Sequence, residues 1–351
     1  MSAITPEFMT DLETRMRSIV VDEYNRLNKR TWWQLVARRT ESVSRRERLV
    51  WLLSTAKIER PNAKHGGGQA IFEDLVAQYT EFEAENASAG LELKKEQLED
   101  VFNGVPGGEG MALAARWSKD VTSYAVYWPQ QEVANVIKAN PKAYDGKNFF
   151  ASDHPVNPFD TAAGTFANHF TGSANGIYPG ALPIGGTTTI DAAVANIAKA
   201  IAYVASIKMP NGTTPRNLRL GGILVPPALE ARAQQITNAK FIAQASQAGG
   251  ALSGDIEAVV RNFGLGQPVV CTELGAAFGG SDSDYYLAVE GVTDDELGAL
   301  TYVEREPFSI LYHDGMSSAE LARKRTFQWT TEGRNVVAPG HPFLLFKCSA
   351  T

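Results

Sequence analysis

Residues 71–100 carry nine acidic side chains against two basic ones, and much of the stretch alternates with the two-residue period of a β-strand. YTEFEAE and LELKK are the alternating runs, and NASAG between them reads as a turn. The pattern predicts a long, charged, two-stranded finger. A lone hairpin is marginal in water, so a chain built this way needs another surface for the finger to lie on. Glu73, Asp74, Glu81, Glu83, Glu85 and Glu92 are its candidate contact residues.

A basic counterpart lies upstream. Arg26, Lys29, Arg30, Arg38, Arg39, Arg45, Arg46 and Arg48 face only Glu41 and Glu47, a net of +6 over residues 26–48, whereas residues 71–100 carry -7. The basic stretch reads equally as a solvated helix face and as a contact for a polyanion or an acidic neighbouring chain. Over the whole chain of 351 residues the net charge is -6, which argues against a dedicated nucleic-acid binder. Trp32 and Trp33 are adjacent and do not interleave with the basic residues as a stacking platform would.

Helical periods frame this charged region. Phe8, Leu12, Met16, Ile19, Val20 and Leu27 form an apolar stripe over residues 6–27, with Thr5 as cap and Pro6 in the first turn. Pro61 and the triplet Gly66–Gly68 mark a turn or hinge in 56–70. Leu113, Trp117, Val121, Tyr124 and Trp128 predict a core-facing helix over 109–128, with Pro129 kinking it or starting a second helix to about Ala139. Residues 140–188 read as one long loop, and Thr188 with Asp191 as a capping box for a helix bearing Ile190, Val194, Ile197, Ile201 and Val204. Then come a strand at 218–225, a helix from Pro226-Pro227 to about Asn238, a short helix at 255–262, and strands at QPVVCTEL and 285–291. The tail from Ala299 is strand-rich: TYVERE, FSILYH, RTFQWTT, RNVVA and FLLFKC. The order of elements is that of an α+β chain.

Chemistry-bearing patterns are absent from the sequence. Gly107-Gly108-Glu109-Gly110 lacks the Lys-Ser/Thr of a phosphate loop, and neither GxGxxG after a strand nor GxSxG occurs. The five histidines form no metal-ligand spacing. Asp153-His154 pairs a carboxylate with an imidazole, but adjacent side chains rarely face each other and Pro155 makes the segment a structural turn. Cys271 and Cys348 read as small buried hydrophobes in a chain made in a reducing cytosol. No cofactor or metal is expected. No apolar run reaches about 18 residues, and Met1–Thr10 has no signal-peptide pattern, so a soluble protein without a membrane partner is expected.

Residues 144–158, YDGKNFFASDHPVNP, resemble the DGK-x-FF-x-x-x-HPV signature of the Mu-like phage major head subunit family through Asp145, Gly146, Lys147, Phe149, Phe150, His154, Pro155 and Val156. YTEFEAENASAGLELKKEQLEDV, with Leu98, Glu99 and Asp100, and LRLGGILVPPALEARAQQI resemble further passages of that family, so the likeness spans roughly residues 60–350. The resemblance implies an HK97-like phage capsid fold: an N-terminal arm at 1–59, an extended E-loop hairpin at 60–105, a peripheral domain with a long spine helix at 106–209, an axial domain at 210–298, and C-terminal strands at 299–351 returning to the peripheral domain.

It implies a non-enzymatic major capsid protein that self-assembles through hexamers and pentamers into an icosahedral head around double-stranded DNA. The implied partners are other copies, portal, scaffold and decoration proteins, and packaged DNA held without sequence preference. The implied location is the virion capsid, assembled in the host cytoplasm. No residue pair identifies a covalent cross-link, so a non-covalent shell is expected. An encapsulin-like compartment, a soluble α+β enzyme and a tail or baseplate protein are the alternatives.

Overall fold

A computed structural model describes residues 6–28, 31–44, 46–53, 76–102, 109–238, 265–290, 298–313 and 323–350. In chain order the elements are α1 (Pro6–Leu27), β1 (Ala37–Glu41), β2 (Arg46–Leu53), β3 (Val76–Glu83), β4 (Glu85–Lys94), α2 (Lys95–Phe102) and α3 (Glu109–Ala139). There follow β5 (His154–Pro155), β6 (Thr165–Phe166), β7 (His169–Phe170), α4 (Ile190–Ala205), β8 (Leu220–Val225) and α5 (Glu230–Asn238). The last are β9 (Val269–Val270), β10 (Tyr285–Val289), β11 (Leu300–His313), β12 (Thr326–Pro339) and β13 (Leu345–Cys348).

Strands β2-β3 and β5-β6 stand as separate pairs, and two larger sheets take up most of the strands. The first has the order β1-β11-β12-β4, and the second β7-β13-β10-β8-β9. TYVERE and FSILYH merge into the single strand β11, antiparallel to β12, with register shifts between Glu304 and Ser309. Pro307 lies inside that interval and has no N–H to donate, which accounts for the local break in the ladder. Strand β10 is buried along its whole length at the centre of the second sheet.

There are two apolar cores, and the first sheet enters both, sending Ala37, Leu300, Tyr302 and Val337 into the larger one. Met9, Leu12 and Met16 of α1 join Leu93, Leu98, Ala114, Phe327 and Trp329 in the smaller one. The larger one gathers the second sheet, α4, and Val133, Ala134 and Ile137 of α3. The stripe read in 6–27 is therefore the buried face of α1, with Leu27 also buried; the Thr5 cap and the Phe8 side chain lie outside the described residues.

Several expectations are corrected. NASAG is no turn: it runs within β4 and pairs with β12, Asn86 to Arg334 through Gly90 to Thr330. A 14-residue neighbour supplies the ladder that these weak strand formers do not specify themselves. YTEFEAE and LELKK are consequently not partners. Strand β3 pairs with β2, Arg46 opposite Glu83 and Leu53 opposite Val76.

The spine α3 is one helix of 31 residues passing through Pro129. Only part of the expected stripe is covered: Val121 is buried and Trp117 packs against the smaller core, whereas Tyr124 is 69% exposed and Leu113 40%, and the small or hydroxyl-bearing Ala114, Ser118 and Thr122 are buried. Ser118 Oγ donates to the Ala114 carbonyl at 2.8 Å and Thr122 Oγ1 to the Ser118 carbonyl at 2.6 Å. The buried hydroxyls are thus satisfied within the helix, and small side chains let α1 lie close against it.

Smaller corrections concern ends. The cap of α4 is Thr189, whose hydroxyl accepts from the Ala192 N–H at 3.3 Å, not Thr188. QPVVCTEL contributes only β9 before a 3-10 turn at Thr272–Leu274. The 140–188 segment contains β5, β6 and β7. Of the C-terminal strands, β13 joins the second sheet beside β10 and β7. The 56–70 turn and the 255–262 helix lie outside the described residues.

The small-residue face generates a test. Ala114→Leu should overpack the α1–α3 contact and cost about 1–3 kcal/mol in chemical denaturation. Leu113→Ala next to it should stay within about 0.5 kcal/mol. The reverse order would restore the aromatic face as the buried one.

Candidate assembly interface

The signature residues fold into a buried polar knot. Gly146 takes φ 77° after Asp145, and the Lys147 N–H donates to Asp145 Oδ1 at 3.1 Å, closing a tight turn. The other carboxylate oxygen, Asp145 Oδ2, lies 2.6 Å from His154 Nδ1, with both side chains almost fully buried. His154 Nε2 faces the Phe149 carbonyl at 3.2 Å and Asn168 Oδ1 at 3.1 Å. Its ring stacks on Phe166 at 5.2 Å.

Asn168 is the hub. Its amide nitrogen donates to the carbonyls of Phe149 at 2.6 Å, Pro342 at 3.0 Å and Leu345 at 3.3 Å, and its oxygen accepts from the Ala151 N–H at 2.9 Å. One side chain thus ties the signature loop to the start of β13. Phe149, Phe150 and Val156 enter the larger core. Lys147 pairs with Asp153 at the surface. His154 therefore partners Asp145, nine residues upstream, and not the adjacent Asp153. With no solvent path to either group, the pair anchors a loop and offers nothing to a substrate. Asn168 went unrecognised because a lone asparagine shows no periodicity or spacing.

Beside the knot, Arg216 lies 3.7 Å above the Phe343 ring, and His341 packs edge-on to Tyr144. Burial and the Arg216 charge push the His341 pKa down to about 3, and burial pushes that of Tyr144 up to about 12. Cys271 and Cys348 are both buried, as expected, and burial raises both thiols. No cluster of metal-ligating side chains occurs among the described residues, and no helix among them is long and apolar enough to cross a membrane.

The charged candidates are dispersed. Arg26 pairs with Glu23 on α1, and Arg39 with Glu304 across the first sheet. Arg46 Nε lies 3.3 Å from Glu83 Oε2, so part of the predicted complementarity closes inside one chain. The register also sets Arg48 opposite Glu81. Glu92, on β4, accepts from Gln328 at 3.1 Å, and Glu85 begins that strand exposed. Lys29, Arg30, Arg45, Glu73 and Asp74, and the side chain of Arg48, lie outside the described residues. Arg38 and Arg39 instead line a cavity of about 1140 Å³ between α1, α3 and β11, with Arg17, Tyr24, Val126 and Leu311. Val21, Tyr24 and Leu311 on its walls are exposed hydrophobics.

Two family models match the sequence: the Mu-like prophage major head subunit gpT over residues 11–179, and a phage capsid protein over residues 132–340. The fold is similar to the capsid of cyanophage P-SCSP1u, with TM-score 0.53 and 12% identity over 92% of this chain and 88% of that one. It is also similar to the mature capsid of bacteriophage PhiM1, with TM-score 0.51 and 11% identity over 91% and 86%. The procapsid of bacteriophage JBD30 aligns with 99% of this chain and 76% of its own, at 16% identity and TM-score 0.49. No curated protein matches.

Two tests address the knot and its neighbour. Asp145→Ala, which strands a buried imidazole nitrogen, should destabilise the chain by about 1–3 kcal/mol, read as a lower denaturation midpoint. His341 stays neutral when folded and takes a proton when unfolded below about pH 6.5. Stability should therefore fall as pH drops from about 6.5 towards 3. Thermal scans across that window should show the slope flattened in His341→Phe.

Proposed function

The chain belongs to the phage capsid protein family, and from that premise we propose how its surfaces build a shell. The protein is a structural head subunit with an HK97-like fold, not an enzyme, and it forms the phage capsid. The finer reading is ours. Copies gather as hexamers and pentamers, close into an icosahedron, and enclose double-stranded DNA. Scaffold and portal proteins guide assembly in the host cytoplasm, decoration proteins bind outside, and DNA is held by non-specific contact. Contacts between copies are non-covalent.

In domain terms, residues 1–59 act as arm, 60–105 as E-loop, 106–209 and most of 299–351 as the peripheral part, and 210–298 as the axial part. The pairing of β2 with β3 supports extending the finger back to Arg46, and the pairing of β13 supports assigning that strand to the axial side.

The observation that carries the contact proposal is the groove between α1 and α3. Its apolar walls carry Arg17, Arg38 and Arg39, of which Arg17 is already answered by Glu13 and Arg39 by Glu304. We assign the acidic finger of a neighbouring copy, through Glu81, Glu83, Glu85 and Glu92, to this groove. Each exposed ion pair contributes only ~0.2–1 kcal/mol, so the pairs set register while burial at about 25 cal/mol per Å² supplies adhesion. Arg26, on the helix but paired locally, contributes less.

Negative-stain electron microscopy of particles from infected cells tests the function: closed polyhedral shells of this 38.0 kDa chain with nuclease-protected DNA are expected. A discrete small oligomer would refute it, and protein cargo without DNA would favour a cellular compartment. Arg38→Glu should abolish shells while the subunit unfolds at its normal temperature. Shells at wild-type yield would remove the groove from the contact.

A further inference from the structure

A second cleft, of about 570 Å³, lies on the opposite part of α3, where the helix meets the turns at Trp32 and Thr272. Its walls include three aromatic side chains, Trp32, Tyr124 and Tyr127, and two carboxylates, Asp120 and Glu273, with no lysine or arginine among the lining residues. Asp120 has a loose partner, Arg116 at 3.9 Å, both exposed. Glu273 is held differently. Trp32 Nε1 donates to one oxygen at 3.1 Å and Gln130 Nε2 to the other at 2.6 Å. Gln130 is itself fixed, because its Oε1 accepts from the Trp32 N–H at 2.9 Å.

Two neutral donors orient this carboxylate without neutralising it, and no cation among the described residues pairs with it. A half-buried carboxylate normally finds a cation or stays in water. Beside it stands Tyr124, left exposed on the side of α3 turned from the core. Aromatic faces next to an oriented carboxylate are the surroundings that stabilise an alkylammonium or guanidinium group, through the ring quadrupoles and a charge-assisted hydrogen bond.

We propose that this cleft receives a lysine or arginine side chain from a second copy of the chain, its charged head on Glu273 and its stem against the tyrosine rings. The inference rests on the shell reading, which sets copies side by side. The occupant's charge follows from the cleft, which is acidic and lacks a cation of its own. The cleft draws on α3, the turn before β1 and the turn after β9. A side chain seated there joins α3 to the two turns beside the larger core, where Trp32 is buried and Val270 packs.

The test uses shells of the full chain assembled from an equal mixture of nitrogen-14 and nitrogen-15 subunits, with p-benzoylphenylalanine replacing Tyr124. Irradiation should give light–heavy cross-linked peptides whose second member carries a lysine or arginine at the contact. In parallel, Glu273→Gln should raise the critical assembly concentration about tenfold, the scale of one lost charged hydrogen bond, beyond whatever loss the unfolding of the free subunit shows. Should Glu273→Gln fail to fold, Tyr124→Ala, which removes an exposed ring that the stem lies against, should raise the same concentration.

Cross-links confined to one copy, or to DNA or another protein, would overturn the proposal, as would variants that assemble at the wild-type concentration. If the wild type forms no shells even in infected cells, the shell reading falls and takes this inference with it. Wild-type shells with indifferent variants overturn the cleft alone.

Discussion

One helix belongs to two cores. The first half of α3 offers Ala114 to the cluster under the first sheet, and its last turns offer Val133, Ala134 and Ile137 to the cluster around the second. The buried line at Ala114, Ser118 and Thr122 must be small for α1 to approach, and its hydroxyls must return their hydrogen bonds to the helix, since a buried orphan donor costs about 1–3 kcal/mol. The polar triad of Gln130, Glu273 and Trp32 sits where α3 passes from one core to the other. Tyr124 is thereby left exposed, and a surface property of the chain follows from a packing constraint inside it.

What was legible in the sequence depended on whether the partner was local. The stripe of α1 and the helix at 190–205 bury residues at the helical period, and the apolar run read as a strand at 218–225 stands as β8 with its last three residues buried. Leu113 and Tyr124 of α3 have the same helical spacing as the buried Val121, yet spacing alone cannot tell which positions of one stripe a neighbour covers. NASAG has turn composition, but its conformation is dictated by β12, more than two hundred residues away. The finger was recognised as extended and charged, while its partner strand was not, because β2 lies in a stretch whose basic residues suggested a separate role. Asn168 exerts its effect through carbonyls, which carry no sequence identity.

The signature segment shows how a buried structural device imitates a catalytic one. A histidine with one ring nitrogen on an aspartate has the composition of a proton-transfer pair. The surroundings decide otherwise: both partners are enclosed, and the second ring nitrogen faces fixed oxygens. Such a knot replaces a hydrophobic anchor with a directional one. It holds a long, glycine-rich loop against β13 in one geometry, which a shell of repeated identical contacts requires more than it requires raw stability. The likeness to the capsid folds, at 11–12% identity, is consistent with strong geometric demands met by widely different side chains.

Both native thiols lie inside the larger core, at the end of β13 and just after β9, and burial holds them in their unreactive protonated form. With only two cysteines in the chain, the folded protein presents a surface silent to maleimides and to oxidative coupling. A single cysteine introduced at an outward position would then be the one addressable point per subunit. Dyes, peptides or gold could be arrayed on a particle at a stoichiometry set by geometry, with the native residues left untouched.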